Sequence, residues 1–204
     1  MAVFGIRGQK KIATLSLKHC VAQKEYVEWK TKKLGLEGLQ VKPRRNGNCI
    51  QYGGSSHRLY ELFSFWKAFY VDGKKGLSLK CLNQLEPLGL AVWYCDDGNY
   101  NYYTKVVTLN TQSFSKEENE LTKKWFQESW NLKCAVIPQR IKGYRTYFFL
   151  NFTAKSSDSL LKLIKLHIYP IRCMRYKLGH LLKSNLLKLQ QKKEKKRHYR
   201  REYY

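Results

Sequence analysis

Residues 88–98, LGLAVWYCDDG, are the stretch that decides the fold. Pro87 precedes an almost wholly apolar segment and Gly98 ends it. Proline is common at the first position of a helix, and glycine is common just after the last turn. The segment therefore predicts a buried helix that ends in two adjacent carboxylates, Asp96 and Asp97. Acids at the C-terminal end of a helix are disfavoured by about 0.3–1 kcal/mol each, because that end carries partial negative charge. We therefore expect a compensating cation, and a divalent metal suits paired carboxylate oxygens.

The composition indicates which kind of molecule the chain binds. The chain has 204 residues and a formal net charge of +24, from 39 Lys and Arg against 15 Asp and Glu. Such an excess, together with 15 Tyr, 9 Phe and 5 Trp, favours a polyanion partner. No apolar run reaches the roughly 18–20 residues of a membrane span, so no membrane partner is expected. The six cysteines form no CxxC pair, which argues against a zinc ribbon or a redox motif. We interpret the five histidines as surface or phosphate-facing groups rather than catalytic ones.

The order of predicted elements repeats along the chain. We predict a first half over residues 1–86, a second half over residues 87–180 and a basic tail over residues 181–204. In the first half, the patterns predict a strand over 10–19, a helix over 22–34, a turn-rich basic segment over 42–48, a strand over 49–53 and a helix over 57–70. In the second half, they predict the helix over 87–97, a loop, a strand over 105–111, a helix opened by a capping box at Ser115, strands over 134–139 and 144–152, and a helix over 157–167.

Residues 90–98, LAVWYCDDG, resemble the signature helix of the LAGLIDADG homing endonucleases, most closely that of the long intron-encoded members. Four residues match the general nine-residue pattern: Leu90, Ala91, Asp97 and Gly98. The residues between them suit the second motif of this subgroup. Residues 72–77, DGKKGL, and residues 174–178, MRYKL, resemble two further segments of the same subgroup.

The resemblance implies a fold and a chemistry. The fold is α+β, with two pseudo-symmetric αββαββα halves that form a DNA-binding saddle, the first half lacking its signature helix. The function is site-specific cleavage of double-stranded DNA, at a long asymmetric target, by an endonuclease encoded in a mobile intron. Phosphodiester hydrolysis would use Mg²⁺ or Mn²⁺, with Asp97 as catalytic metal ligand and Gly98 beside it in the metal site. Lys75 and Lys177 would be the basic catalytic residues near the cleavage sites.

The same resemblance implies further contacts. Leu90, Ala91 and Cys95 would form the interface between signature helices, since small residues one turn apart allow close approach. The polar faces of the predicted strands and the basic segment would contact DNA. The candidates are Thr14, Ser16, Lys18, Arg44, Arg45, Thr108, Asn110, Arg140, Arg145, Tyr147 and Asn151.

The N-terminal region departs from the family pattern, in which a complete single-chain enzyme begins with another signature helix and a second acid. No Asp or Glu precedes Glu25, and we interpret residues 1–5 as at most a stub of that helix. Three readings stay open. The first, which we favour, is that the true start lies upstream. The second is that the chain is a degenerate DNA-binding relative or a nickase. The third is that a partner supplies the missing helix. Loss of that helix predicts an exposed apolar flank at residues 90–94 and a poorly soluble or oligomeric chain.

Two other functions remain as alternatives. An intron RNA-binding maturase needs no catalytic acid and suits the basic tail. A plain basic architectural protein leaves the DDG helix unexplained, so we rank it last. The subgroup is typical of organelle introns, which predicts an organelle-encoded protein, mitochondrial or chloroplast.

Overall fold

The computed structural model describes residues 3–5, 14–36, 42–46, 49–55, 61–71, 74–140 and 146–182. The strands are β1 (Val3–Gly5), β2 (Thr14–Cys20), β3 (Lys42–Asn46), β4 (Cys49–Ser55), β5 (Tyr70–Val71), β6 (Lys74–Lys75), β7 (Gly98–Asn101), β8 (Val106–Leu109), β9 (Cys134–Arg140) and β10 (Thr146–Phe152). The helices are α1 (Lys24–Lys33), α2 (Glu61–Phe69), α3 (Leu79–Leu82), α4 (Pro87–Asp97), α5 (Lys116–Trp130) and α6 (Ala154–Ile168). A run of 3₁₀ turns over Arg172–Leu181 is called the C-terminal 3₁₀ segment. None of the helices in these ranges combines the length and apolar character needed to cross a membrane.

Two four-stranded antiparallel sheets have the same strand order. The first sheet runs β1-β2-β4-β3 and the second runs β7-β8-β10-β9. In the second sheet, Val107, Leu109, Leu150 and Phe152 point into a core that α4, α5 and α6 complete. The smaller core of the first sheet contains Leu15, Leu17 and Val27. The predicted α+β class with two similar halves is confirmed.

Three segments differ from the sequence expectations. Residues 3–5 are not the stub of a helix: they form β1, which pairs with residues 14–16 of β2. Residues 42–46 form β3 rather than turns, and residues 98–101 form β7 rather than a loop. For residues 42–46 and 98–101, pairing with a neighbouring strand outweighs a local composition that is typical of turns. For residues 3–5, the pairing with β2 fixes an extended backbone.

Helix α4 lies in the centre of the larger core. Leu90, Ala91 and Tyr94 are at most 2% exposed, because α6, β7 and Tyr26 of α1 pack around the helix. The expectation of an exposed apolar flank at residues 90–94 is therefore wrong for these three side chains. Val92 and Trp93 of the same flank are partly exposed, and a poorly soluble or oligomeric chain stays a prediction.

Helix α5 begins with the predicted capping box. Ser115 accepts a hydrogen bond from the Glu118 backbone N–H, and the Glu118 carboxylate accepts one from the Ser115 N–H at 2.7 Å. The other oxygen of that carboxylate accepts the Leu77 backbone N–H at 2.8 Å. Glu118 thus ties the segment after β6 to the start of α5.

Removal of the cap should destabilise the fold measurably. We expect Ser115→Ala to lower the free energy of unfolding by about 0.5–2 kcal/mol, because one helix N–H loses its acceptor. Urea unfolding followed by circular dichroism measures the change. Ser129→Ala, an exposed position in the same helix, is the matched control and should stay within about 0.5 kcal/mol of the wild type. Equal effects of the two substitutions would contradict the structural role of the cap.

Candidate active site at the end of helix α4

The two carboxylates that end α4 have different surroundings. Asp96 lies in an ionic cluster with its side chain 12% exposed. Lys30 Nζ donates to the two carboxylate oxygens at 2.6 and 2.9 Å, and Tyr26 donates its hydroxyl at 3.0 Å. His19 Nε2 lies 3.5 Å from the same carboxylate. Burial is the largest single influence and would raise the pKa of Asp96, but the Lys30 charge, the Lys30 hydrogen bonds and the other nearby positive charges together hold the pKa below its ordinary value. Asp96 is therefore an ionised structural group.

Asp97 has no hydrogen bond or ion pair from its carboxylate to any described residue. Burial, followed by the neighbouring charge of Asp96, raises the pKa of Asp97, while Lys75 and Lys177 act in the opposite direction. Its backbone carbonyl accepts the Asn110 N–H at 2.9 Å, which fixes the end of α4 to the strand β8 that follows. A half-buried carboxylate without a protein partner is suited to a bound cation.

Lys177 binds the C-terminal end of α4. Its ammonium donates to the carbonyl oxygens of Cys95 at 2.6 Å, Gly98 at 2.8 Å and Tyr94 at 3.3 Å. The Tyr94 hydroxyl donates in return to the Lys177 carbonyl at 2.7 Å. Burial lowers the pKa of Lys177. A cation at this end of a helix neutralises the partial charge of the unpaired carbonyls.

Gly98 is required by close packing rather than by an unusual backbone conformation. Its φ of −87° is an ordinary value. A Cβ at this position would overlap the ring and the carbonyl of Tyr94. The chain can therefore leave α4 directly into β7 only with glycine here, and this tight exit holds Asp97 at the rim of the core.

Lys75 approaches the site from the β5–β6 hairpin. Its backbone pairs with Tyr70, and its ammonium lies 5.7 Å from the centre of the Phe114 ring. The bond from Leu77 to Glu118 fixes the same segment against α5. The charges of Lys75 and Lys177 both act on the Asp97 carboxylate, and Lys177 bonds the adjacent Gly98 carbonyl, so the three residues belong to one region. A catalytic role for each of them stays a prediction.

Two sequence expectations need correction here. The compensating cations that the structure shows at the end of α4 are the Lys30 and Lys177 ammonium groups, so no metal is needed to balance Asp96. His19 is not a surface histidine: its side chain is 9% exposed, and it bonds Gln23 at 3.1 Å and Lys30 at 3.0 Å. Nothing local in the sequence marks Lys30 or His19, because both are far from Asp96 along the chain.

The predicted DNA contacts are distributed over the two sheets. Thr14 and Ser16 are partly exposed and Lys18 is exposed on the first sheet. On the second sheet, Thr108 bonds Asn151 at 3.0 Å, and Tyr147 is partly exposed. Asn110 and Arg140 are exposed at strand ends. Arg44 and Arg45 belong to β3 by their backbone pairing, and Arg145 lies outside the described residues. Contact with DNA stays a prediction for all of them.

The residues that surround Asp97 fit a divalent cation in part. Within the described ranges, no three Asp, Glu, His or Cys side chains meet as a metal cluster. Asp97 alone would supply a carboxylate oxygen, while the Gly98 carbonyl already accepts Lys177. Because hard cations commonly keep several waters and bind phosphate oxygens, one carboxylate and a substrate phosphate form a plausible ligand set.

Loss of Lys30 should be costly, because it leaves the buried Asp96 charge without its counter-ion. We expect Lys30→Met to lower the free energy of unfolding by about 3–5 kcal/mol, measured by urea unfolding. Lys32→Met, on the exposed side of the same helix, should change it by less than about 0.5 kcal/mol. The double variant Lys30→Met/Asp96→Leu should recover part of the loss. No recovery would contradict an ionic cause.

Stability should also depend on pH through His19. Burial, with the nearby Lys30 charge second, lowers the pKa of His19 from 6.5 to about 4. The unfolded chain therefore takes up a proton as pH falls through 6.5 while the folded chain does not, so stability is lost between pH 6.5 and 4. We expect this loss to be on the order of 2–3 kcal/mol and to be largely absent in His19→Gln. Equal pH profiles of the two proteins would contradict this role of His19.

Comparisons with known proteins agree with this geometry. Residues 5–160 match the LAGLIDADG DNA endonuclease family. A probable intron-encoded DNA endonuclease 3 from Mycosarcoma maydis is 33% identical over 132 residues, covering 62% of this chain and 90% of that protein. The cytochrome b mRNA maturase bI2 from Debaryomyces hansenii is 29% identical over 145 residues, 71% of this chain and 53% of the maturase, so the chain spans about half of its length.

The fold has a known counterpart as well. The structure of the homing endonuclease I-WcaI bound to its DNA recognition sequence has a TM-score of 0.73 at 20% identity, over 87% of this chain and 80% of that chain. At that identity the likeness shows the fold, and the family match carries the assignment. Because that match covers more than half of the sequence and includes α4, this chain belongs to the LAGLIDADG DNA endonuclease family.

Proposed function

We propose that this chain is a site-specific homing endonuclease that cleaves double-stranded DNA at the end of α4. The observation that carries the proposal is the contrast between its two acids. Asp96 is fully engaged with Lys30 and Tyr26, whereas the Asp97 carboxylate has no partner among the described residues and two lysines influence its pKa. Such a carboxylate is suited to hold a cation at a phosphodiester.

Each residue has a distinct role in this proposal. Asp97 binds the divalent cation, and the rigid exit at Gly98 fixes its position. Asp97 would hold the cation, and the chemistry that a bound Mg²⁺ or Mn²⁺ would supply there is activation of water and neutralisation of charge on the leaving oxygen. The structure of a variant of the homing endonuclease I-DmoI in complex with its target DNA was solved in the presence of Mn²⁺. Lys75 would place positive charge beside the scissile phosphate, where charge develops during cleavage. Lys177, whose ammonium already donates to three backbone carbonyls, would act there through its charge and by fixing the end of α4.

The partner of the enzyme is duplex DNA. The net charge of +24 supports strong, salt-dependent phosphate binding, and the two sheets offer open polar faces for the major groove. The likeness to an intron-encoded endonuclease and to a cytochrome b mRNA maturase supports an organelle-encoded origin.

A maturase function is the second candidate, because a maturase is among the relatives. Binding of the host intron RNA would be measured beside binding of the duplex that spans the intron insertion point, at matched salt concentration. Tighter binding to the RNA, without cleavage of the duplex, would favour the maturase over the nuclease.

Cleavage is tested with a supercoiled plasmid that carries the intronless host gene, incubated with the full chain and Mg²⁺. A linear product cut at one position supports a complete endonuclease. A nick at one position supports a single working acid, Asp97. An uncut plasmid over a range of Mg²⁺ and Mn²⁺ concentrations would contradict the proposed nuclease.

Replacement of the metal-binding carboxylate should separate cleavage from binding. We expect Asp97→Asn to reduce cleavage by at least about 100-fold, since the cation loses its charged ligand, with duplex affinity changed only slightly. Asp158→Asn is the matched control, because this carboxylate bonds His180 and Lys162 away from α4, and it should cleave normally. Full cleavage by Asp97→Asn would remove the central claim.

A further inference from the structure

The open face of the second sheet carries no charge. This face consists of the outward positions of β7 to β10, which alternate with the core-facing Tyr100, Val107, Leu109 and Leu150. Every outward position in these four strands is described, and none is Lys, Arg, Asp or Glu. In a chain with 39 basic residues, an uncharged face over a whole sheet indicates a specific requirement.

The first sheet differs from the second in that it carries exposed lysines. Lys18 of β2 and Lys42 of β3 both pair with Gly53 of β4, one on each side, and both lysines are exposed. Gly53 has no room for a side chain, because a Cβ would overlap the Leu17 carbonyl. The two lysines therefore flank a bare stretch of backbone, which suits phosphate or guanine contacts.

Amide side chains dominate the polar part of the open face. Asn99 of β7 and Gln139 of β9 are exposed, and Asn151 of β10 is partly exposed. The Asn151 amide oxygen accepts the Thr108 hydroxyl at 3.0 Å, and the Gln139 amide oxygen accepts Gln112 Nε2 at 3.2 Å. These bonds hold two of the amides in place before any ligand binds, which lowers the ordering cost of binding.

The chemistry of the face selects among base pairs. In the major groove, Asn and Gln bond the N6 and N7 atoms of adenine, apolar side chains contact the thymine methyl group, and Arg or Lys bonds guanine. The amides alternate with the partly or fully exposed apolar side chains of Ala135, Ile137 and Phe149. Both halves of an A·T pair thus have matching groups on this face, whereas Lys and Arg, the usual guanine contacts, are absent from its outward positions. The exposed Arg140 at the end of β9 alternates with Gln139 and lies in the register of the core-facing Val136.

We propose that the open face of the second sheet reads an A·T-rich half-site, while the first sheet, with Lys18 and Lys42, accepts G·C pairs in the other half. This inference rests on the proposed endonuclease function and adds the base composition of its target. The proposed difference in base preference comes from the side chains alone, since the two sheets have the same strand order.

A binding selection tests the composition of the target. The full chain in EDTA, which prevents cleavage, is offered duplexes randomised over about three helical turns, and bound sequences are read after several rounds. Repeating the selection with Gln139→Ala and with Lys18→Ala assigns each half of the consensus to a sheet. We expect Gln139→Ala to relax positions only in an A·T-rich half.

A substitution on the face should change base preference at a defined position. We expect Gln139→Arg to change one preferred pair from A·T to G·C, with discrimination of about 5- to 150-fold, which corresponds to one bidentate contact. Gln127→Arg adds the same charge at an exposed position of α5, outside the face. It is the matched control and should strengthen binding to all duplexes without a change of preference.

The outcomes separate this inference from the function on which it rests. A G·C-rich consensus at the positions that respond to Gln139→Ala overturns the inference and leaves the endonuclease intact. A consensus that does not respond to Gln139→Ala or Asn151→Ala overturns it as well. Failure to enrich any sequence contradicts site-specific binding itself, and therefore the proposed function.

Discussion

The structure depends on charge balance at the last turn of α4. Two carboxylates and the unpaired helix carbonyls meet there at the edge of the core, where a poorly solvated and uncompensated charge is costly. Lys30 neutralises Asp96 from the first half of the chain, and Lys177 binds the carbonyls from the C-terminal 3₁₀ segment. Three parts of the sequence must therefore converge on one helix end. Glu25 strengthens this convergence, because its carboxylate accepts the Cys173 N–H and joins α1 to the 3₁₀ segment.

The different surroundings of Asp96 and Asp97 follow from this charge balance. Because Asp96 is paired, it stays ionised and raises the pKa of its neighbour. Lys75 and Lys177 influence Asp97 without bonding its carboxylate, so among the described residues no side chain occupies the oxygens that we propose to bind the cation. A structural ion pair thus prepares the functional group beside it, which is a common way for burial and charge to tune a site.

Local patterns in the sequence predicted much of the fold, and long-range contacts explain what they missed. Helices α4 and α5 were predictable because Pro87, Gly98 and the capping box at Ser115 act within one turn of the helix ends. Strand β7 was not, since its Asn and Tyr residues are typical of a loop until β8 pairs with them. Lys30 was missed because its partner is 66 residues away, and nothing in α1 distinguishes it from the other lysines. The motif predicts the region around Asp97, whereas the contacts that support this region are known only from the three-dimensional structure.

The ion pair between Lys30 and Asp96 also limits how such chains can recombine. A gene fragment that carries only the second half would bury Asp96 without the cation, tyrosine and histidine that the first half contributes. Exchange of halves between relatives therefore succeeds only when the incoming half places a cation at the same point. In this protein an ion pair joins the two repeats where they meet, and this favours inheritance of the two halves together.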